Sequence, residues 1–213
     1  MLTTANGSAA GGRTYRIVAV EGLDGAGKSS LVHGMRERSP DPARVGIGRV
    51  GRAVTGAFRD LVERDDDTVL YQDVLPPAFR MQAYLFDAAT QFTYLHEQYS
   101  AYDVVLFDRW MHTAEVYCAP VDEHVELFAQ LRRHIPVPDA VVYLRIDPEL
   151  ACERLRERAD RWCRIYSESQ LRDKMTRLHE GYEALFTASP DVWVVDGAQP
   201  RDRVLAAAMA VLA

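Results

Sequence analysis

Val20-Glu21-Gly22-Leu23-Asp24-Gly25-Ala26-Gly27-Lys28-Ser29-Ser30 holds a complete G-x-x-x-x-G-K-[ST] pattern, running from Gly22 to Ser29. It stands between a strand-like run, residues 15–20, and a helix-like run from Ser29 to Arg38, the context that makes the pattern a phosphate-binding loop. Glycine lets the backbone turn tightly enough to aim successive N–H groups at phosphate oxygens, and the helix that follows adds the positive end of its dipole. Lys28 is placed to reach the β- and γ-phosphates of a nucleoside triphosphate, and the Ser29 hydroxyl to hold Mg2+. The expected cradle is Gly22, Asp24, Gly25, Ala26, Gly27, Lys28, Ser29 and Ser30.

Working outward, a continuous apolar run from Asp103 to Phe107 is followed at once by Asp108-Arg109. Polar groups at the carboxyl end of a buried strand stand where open α/β sheets place their ligands. Two more strand-like runs, residues 140–146 and 191–195, alternate with helical patterns, and residues 201–212 read as a closing helix. Asp147-Pro148-Glu149 reads as a helix start, with an acid at the cap and proline at the first helical position. Strands alternating with helices predict a three-layer α/β sandwich, a central parallel sheet with helices on both faces. The Gly-, Pro- and Arg-rich stretch from Ser39 to Gly56 has no steady period and is expected to be a substrate-side loop with one short strand. Residues 58–64 read as helix, and residues 78–98 as a long helix whose Phe79, Tyr84, Leu85, Phe86, Phe92, Tyr94 and Leu95 are expected mostly in the core, with one of them free to stack on a flat ligand.

The whole chain constrains the partners. Its 213 residues are 48% hydrophobic, enough for one domain of this class, and residues 14–213 are expected to form it after a small, polar, disordered lead-in over 1–13. A net charge of −6 with pI near 5.5 argues against nucleic acid, and no segment resembles a signal peptide or a membrane span. Three cysteines, at 118, 152 and 163, make no disulfide framework and suit the cytoplasm. The six histidines show no metal-ligand spacing, and His112 is singled out for its place beside Asp108-Arg109.

Phosphoryl transfer asks the protein for positioning and for positive charge around the moving group. Asp108 is the candidate second Mg2+ ligand beside Ser29, and Arg109 the candidate fork for an acceptor phosphate. Five arginines crowd residues 154–164, interleaved with acids as on a solvated helix face; Arg161 and Arg164 are the candidates to act from a closing lid, about 154–168. An acceptor hydroxyl would instead need a general base, for which Glu21 and Asp108 are available, so a kinase of a nucleoside or other small metabolite is an alternative. A nucleotide-binding regulatory protein without catalysis is another.

With both motifs in hand the chain resembles the thymidylate kinase family of nucleoside monophosphate kinases. Glu21 through Ser30 reproduces the family's Glu-Gly-x-Asp-Gly-x-Gly-Lys-Ser/Thr-Ser/Thr, and Asp108-Arg109-Trp110, Thr113 and Val116-Tyr117 follow its Asp-Arg-Tyr segment. The resemblance implies ATP- and Mg2+-dependent transfer to a pyrimidine nucleoside 5′-monophosphate by a cytoplasmic homodimer, with Lys28, Asp108, Arg109 and the lid arginines catalytic and Asp24, Phe86, Gln91, Arg109, Thr113 and Tyr117 on the acceptor. Three features differ from the family. Its Glu-Pro-Gly-Gly stretch is replaced around Arg49-Val50-Gly51-Arg52; Asp87-Ala-Ala-Thr-Gln91 has alanine where an arginine contacts the nucleotide; and Cys118 replaces a common Gln or Asn. Gly25 stands where some members carry a catalytic arginine, which turns attention to the lid.

Overall fold

A computed structural model describes residues 13–64, 66, 68–119, 125–187, 189 and 191–212, with side chains of 125–128 excepted. Except for Arg13, the N-terminal lead-in lies outside the described residues.

Strand β1 (Arg16–Glu21) leads into helix α1 (Lys28–Arg38), and β2 (Val45–Gly48) follows. Helices α2 (Ala53–Glu63), α3 (Tyr71–Val74) and α4 (Pro77–Tyr94) precede β3 (Val104–Asp108). Next come α5 (Met111–Tyr117), α6 (Val125–Arg132) and β4 (Ala140–Arg145). Helices α7 (Pro148–Glu157), α8 (Trp162–Ile165) and α9 (Glu168–Phe186) lead to β5 (Val192–Asp196) and α10 (Arg201–Met209). The five strands form one parallel sheet in the order β2-β3-β1-β4-β5, as the alternation predicts. Helices flank it: α1 packs on α10 and on the strands, while α4, α5, α9 and α7 pack as successive neighbours.

The sheet order positions the site. After β1 the chain runs to one side, toward β2, and after β3 it runs to the other, toward β4, so the loops leaving the carboxyl ends of β1 and β3 diverge and open a crevice. Register sets what meets there. Val20 pairs with Asp108, which puts Glu21 one step beyond Asp108 on the adjacent strand, at the level of Arg109. The central strands are buried on both faces, and Ile17, Val18, Ala19, Val20, Val105, Leu106 and Phe107 are fully inaccessible, consistent with their unbroken apolar runs.

The aromatic helix α4 is less buried than its composition predicts. Tyr84, Leu85 and Phe92 do pack inward, Phe92 meeting Phe107 and Trp110 at ring separations of 5.6 and 5.0 Å. Phe79, Phe86, Tyr94 and Leu95 are instead 51–77% exposed, because α4 has a sheet-facing side and an outer side and aromatic residues occupy both. Regular helix ends at Tyr94, a single 3-10 turn continues from His96 to Tyr99, and α2 begins at Ala53, five residues ahead of its sequence-based start. Asp147 does occupy the cap position of α7, but its side chain makes no capping hydrogen bond. No helix is long and apolar enough to cross a membrane among the described residues.

Candidate active site

The phosphate loop leaves β1 with Gly22, Gly25 and Gly27 all at positive φ, which only glycine adopts without cost. Gly25 has a second constraint: a Cβ there would lie 2.9 Å from the carbonyl oxygen of Ala151, so no arginine fits at this position without moving α7. From α7, Arg154 reaches back to the loop and donates to the carbonyls of Gly197 at 3.0 Å and Ala26 at 3.4 Å. Lys28 is 5% exposed and donates to the carbonyls of Gly22 at 2.9 Å and Leu23 at 2.6 Å. Burial, helped by the Arg109 charge, lowers its pKa to about 7 despite the nearby carboxylates.

Ser29 donates its hydroxyl to Asp108 Oδ2 at 2.6 Å, whereas Asp108 Oδ1 is buried and has no hydrogen-bond partner. A hydroxyl and a carboxylate with a spare oxygen, both hard donors at the mouth of a phosphate loop, fit an Mg2+ ion that keeps most of its other positions for phosphate and water. The described residues hold no group of three or more His, Cys, Asp or Glu side chains that would bind a metal unaided.

Arg109 follows β3 with φ +81, an uncommon conformation for a residue with a Cβ and a strain worth roughly 1–3 kcal/mol. Its N–H donates to Val20 at 3.0 Å, extending the β1–β3 ladder by one residue. The guanidinium then pairs with Asp24 across the crevice and lies over the Tyr117 ring at 5.5 Å. Tyr117 donates to the other Asp24 oxygen at 2.9 Å. Burial alone would raise the Asp24 pKa, but Arg109, Lys28 and the Tyr117 hydroxyl hold it at about 2.

Glu21 holds this turn in place. It is fully buried; Oε1 accepts from the N–H groups of Trp110 at 2.8 Å and Thr113 at 3.1 Å, and Oε2 accepts from the Thr113 hydroxyl at 2.6 Å and from Tyr182 at 3.3 Å. With both oxygens committed and no route to solvent, Glu21 is an anchor for the Arg109 turn rather than a general base. His112 has its Nδ1 3.6 Å from Glu21 and an edge-on contact with Phe186 at 5.1 Å, and it stands outside the cleft.

In front of the turn opens a cleft of about 280 Å3. Asp24, Arg109, Thr113 and Tyr117 line it, as expected from the sequence, with Arg49, Val50 and Gly51 from the loop after β2, Tyr84 from α4, and Arg158, Asp160, Arg161 and Trp162 from the segment expected to act as a lid. Gly51 is required at its place: φ is +72, and a Cβ would collide with the Tyr84 ring. Arg49 points its Nη1 toward Asp108 Oδ2 at 3.8 Å.

Four expected site residues stand differently. Phe86 is on the outer side of α4, and Gln91 spends its amide on Tyr99 at 2.7 Å, so neither lines the cleft. Arg161 lines the cleft but is held at its rim, donating to Glu63 at 2.6 Å and to the carbonyl of Val69 at 2.9 Å. Arg164 is exposed and does not reach the cleft. Conversely Arg158, set aside in the sequence as an ordinary helix arginine, lines the cleft while bonded to Asp160 at 2.7 Å. Sequence reasoning also missed Arg49 and the wall built by α2. Thr55, Arg59 and Glu63 recur every four residues on that helix, a pattern visible in the chain once its start at Ala53 is known.

The thymidylate kinase family model matches residues 20–207. Similar curated proteins include the thymidylate kinase of Shouchella clausii, 27% identical over 182 residues and covering 82% of this chain and 83% of that protein. The thymidylate kinase of Mycobacterium tuberculosis is 28% identical over 158 residues, 68% of this chain and 72% of its own length. Among solved structures, thymidylate kinase from Ehrlichia chaffeensis superposes with TM-score 0.64 over 93% of this chain and 99% of its own at 15% identity, a likeness of fold.

Proposed function

The chain belongs to the thymidylate kinase family and is a nucleoside monophosphate kinase, and from that premise we propose that it transfers the γ-phosphate of ATP to the 5′-phosphate of a thymidylate-type nucleotide. The observation that carries the reading is the meeting, within one crevice, of the Lys28 and Ser29–Asp108 cradle with the Arg109–Asp24–Tyr117 cluster. The first cluster belongs to the donor and the second to the acceptor.

In this reading the phosphate loop amides and Lys28 hold the β- and γ-phosphates, with Lys28 gaining its charge as the triphosphate arrives. Ser29 and Asp108 would hold Mg2+, which would supply charge neutralisation to the donor phosphates. Arg109, aimed by its left-handed backbone and by Glu21 behind it, forks onto the acceptor phosphate and sets it in line. Arg49, beside Asp108 and open to the cleft, adds positive charge against the negative charge of the oxygens around the moving phosphoryl group. Residues 14–213 act as one kinase domain, with 154–168 closing over the cleft through the Arg161–Glu63 contact.

A second acceptor class, a modified pyrimidine nucleotide, is favoured by Ala88 and Ala89, whose burial leaves Tyr84 as the sole contribution of α4 to the cleft wall. The test is ATP-dependent phosphorylation across dTMP, dUMP, dCMP, purine monophosphates, plain nucleosides and C5-modified pyrimidine nucleotides, with Lys28→Ala as the blank. Turnover of dTMP supports the first reading, turnover confined to a modified nucleotide supports the second, and product from nucleosides alone overturns both.

A further inference from the structure

Lys174 stands on α9, outside the cleft, and it touches two of the segments that build the cleft. Its Nζ lies over the Trp162 ring at 5.1 Å, donates to the Tyr166 hydroxyl at 2.7 Å and pairs with Asp73 on α3 at 3.3 Å. Tyr166 in turn donates to the other Asp73 oxygen and accepts from Gln72 at 3.4 Å. One ammonium therefore joins residues 162–166 to α3, held by cation–π attraction as well as by charge. Only 19% of the Lys174 side chain is exposed, and among the described residues no other cation pairs with Asp73.

Trp162 is the inner end of this latch. It lines the cleft, its ring meets Tyr166 edge-on at 6.0 Å and Tyr117 at 6.5 Å, and Tyr117 carries Arg109 over its own ring and bonds Asp24. At the outer end, Leu70, Tyr71 and Gln72 line the same cleft. The platform from which Lys174 works is fixed: Ser167 and Gln170 close a capping box at the start of α9, directly after Tyr166.

We infer that Lys174 is a positioning residue for the acceptor side, which holds Trp162 against Tyr117 and residues 70–72 against the same wall. An acceptor then meets a preformed surface instead of having to order one. Lys174 acts through Trp162 and leaves the phosphate loop and the Arg109 turn untouched, so its loss falls on acceptor binding and not on the chemical step. The inference rests on the nucleoside monophosphate kinase reading above.

The experiment follows dTMP binding by titration calorimetry, ATP-dependent phosphorylation of dTMP, and acrylamide quenching of Trp162 emission, taken as the difference between each protein and its Trp162→Phe counterpart. The proteins are wild type, Lys174→Met, Lys174→Arg, Trp162→Ala and the double variant Lys174→Met/Trp162→Ala. Lys174→Met should weaken dTMP binding and raise the dTMP KM about tenfold, with kcat and the KM for ATP within about twofold, and should raise the quenching of Trp162 about twofold or more. Lys174→Arg, a cation that stacks and still donates, should recover most of both effects. Because the lysine acts through the ring, the double variant should bind dTMP within about twofold of Trp162→Ala alone. Asp73→Asn, at the more exposed end of the latch, should shift binding and quenching in the same sense and carries the test if Lys174→Met does not fold. Additive losses in the double variant, unchanged dTMP binding or unchanged quenching in Lys174→Met, or a fall in kcat that Lys174→Arg does not recover overturns the inference, as does a wild type that binds no dTMP. If the wild type binds dTMP with this dependence on Lys174 and Trp162 yet phosphorylates no nucleotide, the positioning role stands and the kinase reading of the site falls.

Discussion

The two halves of the crevice are built in opposite ways. In the proposed reading the donor half is contiguous: Gly22 to Ser29 would supply the cradle, the lysine and one Mg2+ ligand, and a single distant residue, Asp108, would complete it. The acceptor half is assembled from Asp24 of the phosphate loop, the loop after β2, α2, α3 with the residue before it, α4, the Arg109 turn, α5 and residues 158–162, each contributing one to four residues. A triphosphate presents the same oxygens whatever it is transferred to, so one loop geometry suffices. An acceptor is recognised by shape and by its own pattern of donors, which must converge from several directions and can be rebuilt one segment at a time. The difference explains why the chain resembles the family closely on one side and departs from it at Ala88 and Ala89 on the other.

The sharpest way to separate the halves is Lys28→Ala. It removes charge that every acceptor depends on, so kcat/KM should fall by about 10³-fold or more for each nucleotide tested, in equal proportion. A loss that varied with the acceptor would mean that Lys28 also serves the acceptor half. Next in size is Glu21→Gln, which acts on the hinge between the halves. The amide keeps an acceptor for the Trp110 and Thr113 N–H groups, but loses the charge that holds the Thr113 hydroxyl. We expect kcat to fall roughly ten- to hundredfold as Arg109 loosens, with about 1–3 kcal/mol lost from stability. Pre-steady-state measurement of ATP binding checks the assignment, because a purely positioning role leaves donor affinity intact.

How much could be read from the chain follows the same division. The strand-loop-helix of the donor cradle, the parallel sheet and the Asp108-Arg109 strand end were all legible, because each is set by local pattern or by the chain direction at the end of a buried strand. Arg49, Thr55 and Arg59 were not, since their common place in the cleft comes from β2 lying next to β3 and from Asp87 fixing the start of α2. Glu21 was legible as a motif residue but not as an anchor: its partners are 89 to 161 positions away. Phe86 misled because an aromatic residue on a helix gives no sign of which side faces inward when both sides are aromatic.

The lid tests where the boundary between halves runs. Arg161 bonds Glu63 on α2, and a few residues along, Tyr166 and Lys174 bond each other at 2.7 Å and both reach Asp73 on the α3 segment. The outer part of this segment is thereby tied to the acceptor wall, while Arg154 at its base reaches the phosphate loop. Arg161→Ala should raise the acceptor KM about tenfold and lower thermal stability by about 1–3 kcal/mol, since Glu63 is left buried and short of a partner. A 10³-fold fall in kcat at unchanged KM would instead make Arg161 a transition-state arginine. Arg164→Ala, outside the cleft, should change neither constant by more than about twofold.

The smallest effect comes from the donor half and concerns protons. Lys28 titrates near pH 7 in the folded protein against 10.5 in its ordinary state, because burial disfavours its charge. Between about pH 7 and 10.5 the unfolded chain binds the extra proton, so this residue makes the free protein more stable as pH rises through that window. Triphosphate reverses the preference, since the protonated amine is the form that pairs with phosphate. ATP binding should therefore take up close to one proton at pH 8, and affinity should fall on the order of fivefold from pH 7 to pH 8. Calorimetry in two buffers of different ionisation enthalpy reads the proton count directly. Lys28→Met should abolish the uptake while Arg161→Ala leaves it unchanged; uptake lost in Arg161→Ala would mean that the lid, through the acceptor wall, sets the charge on Lys28, and the two halves would not be separable.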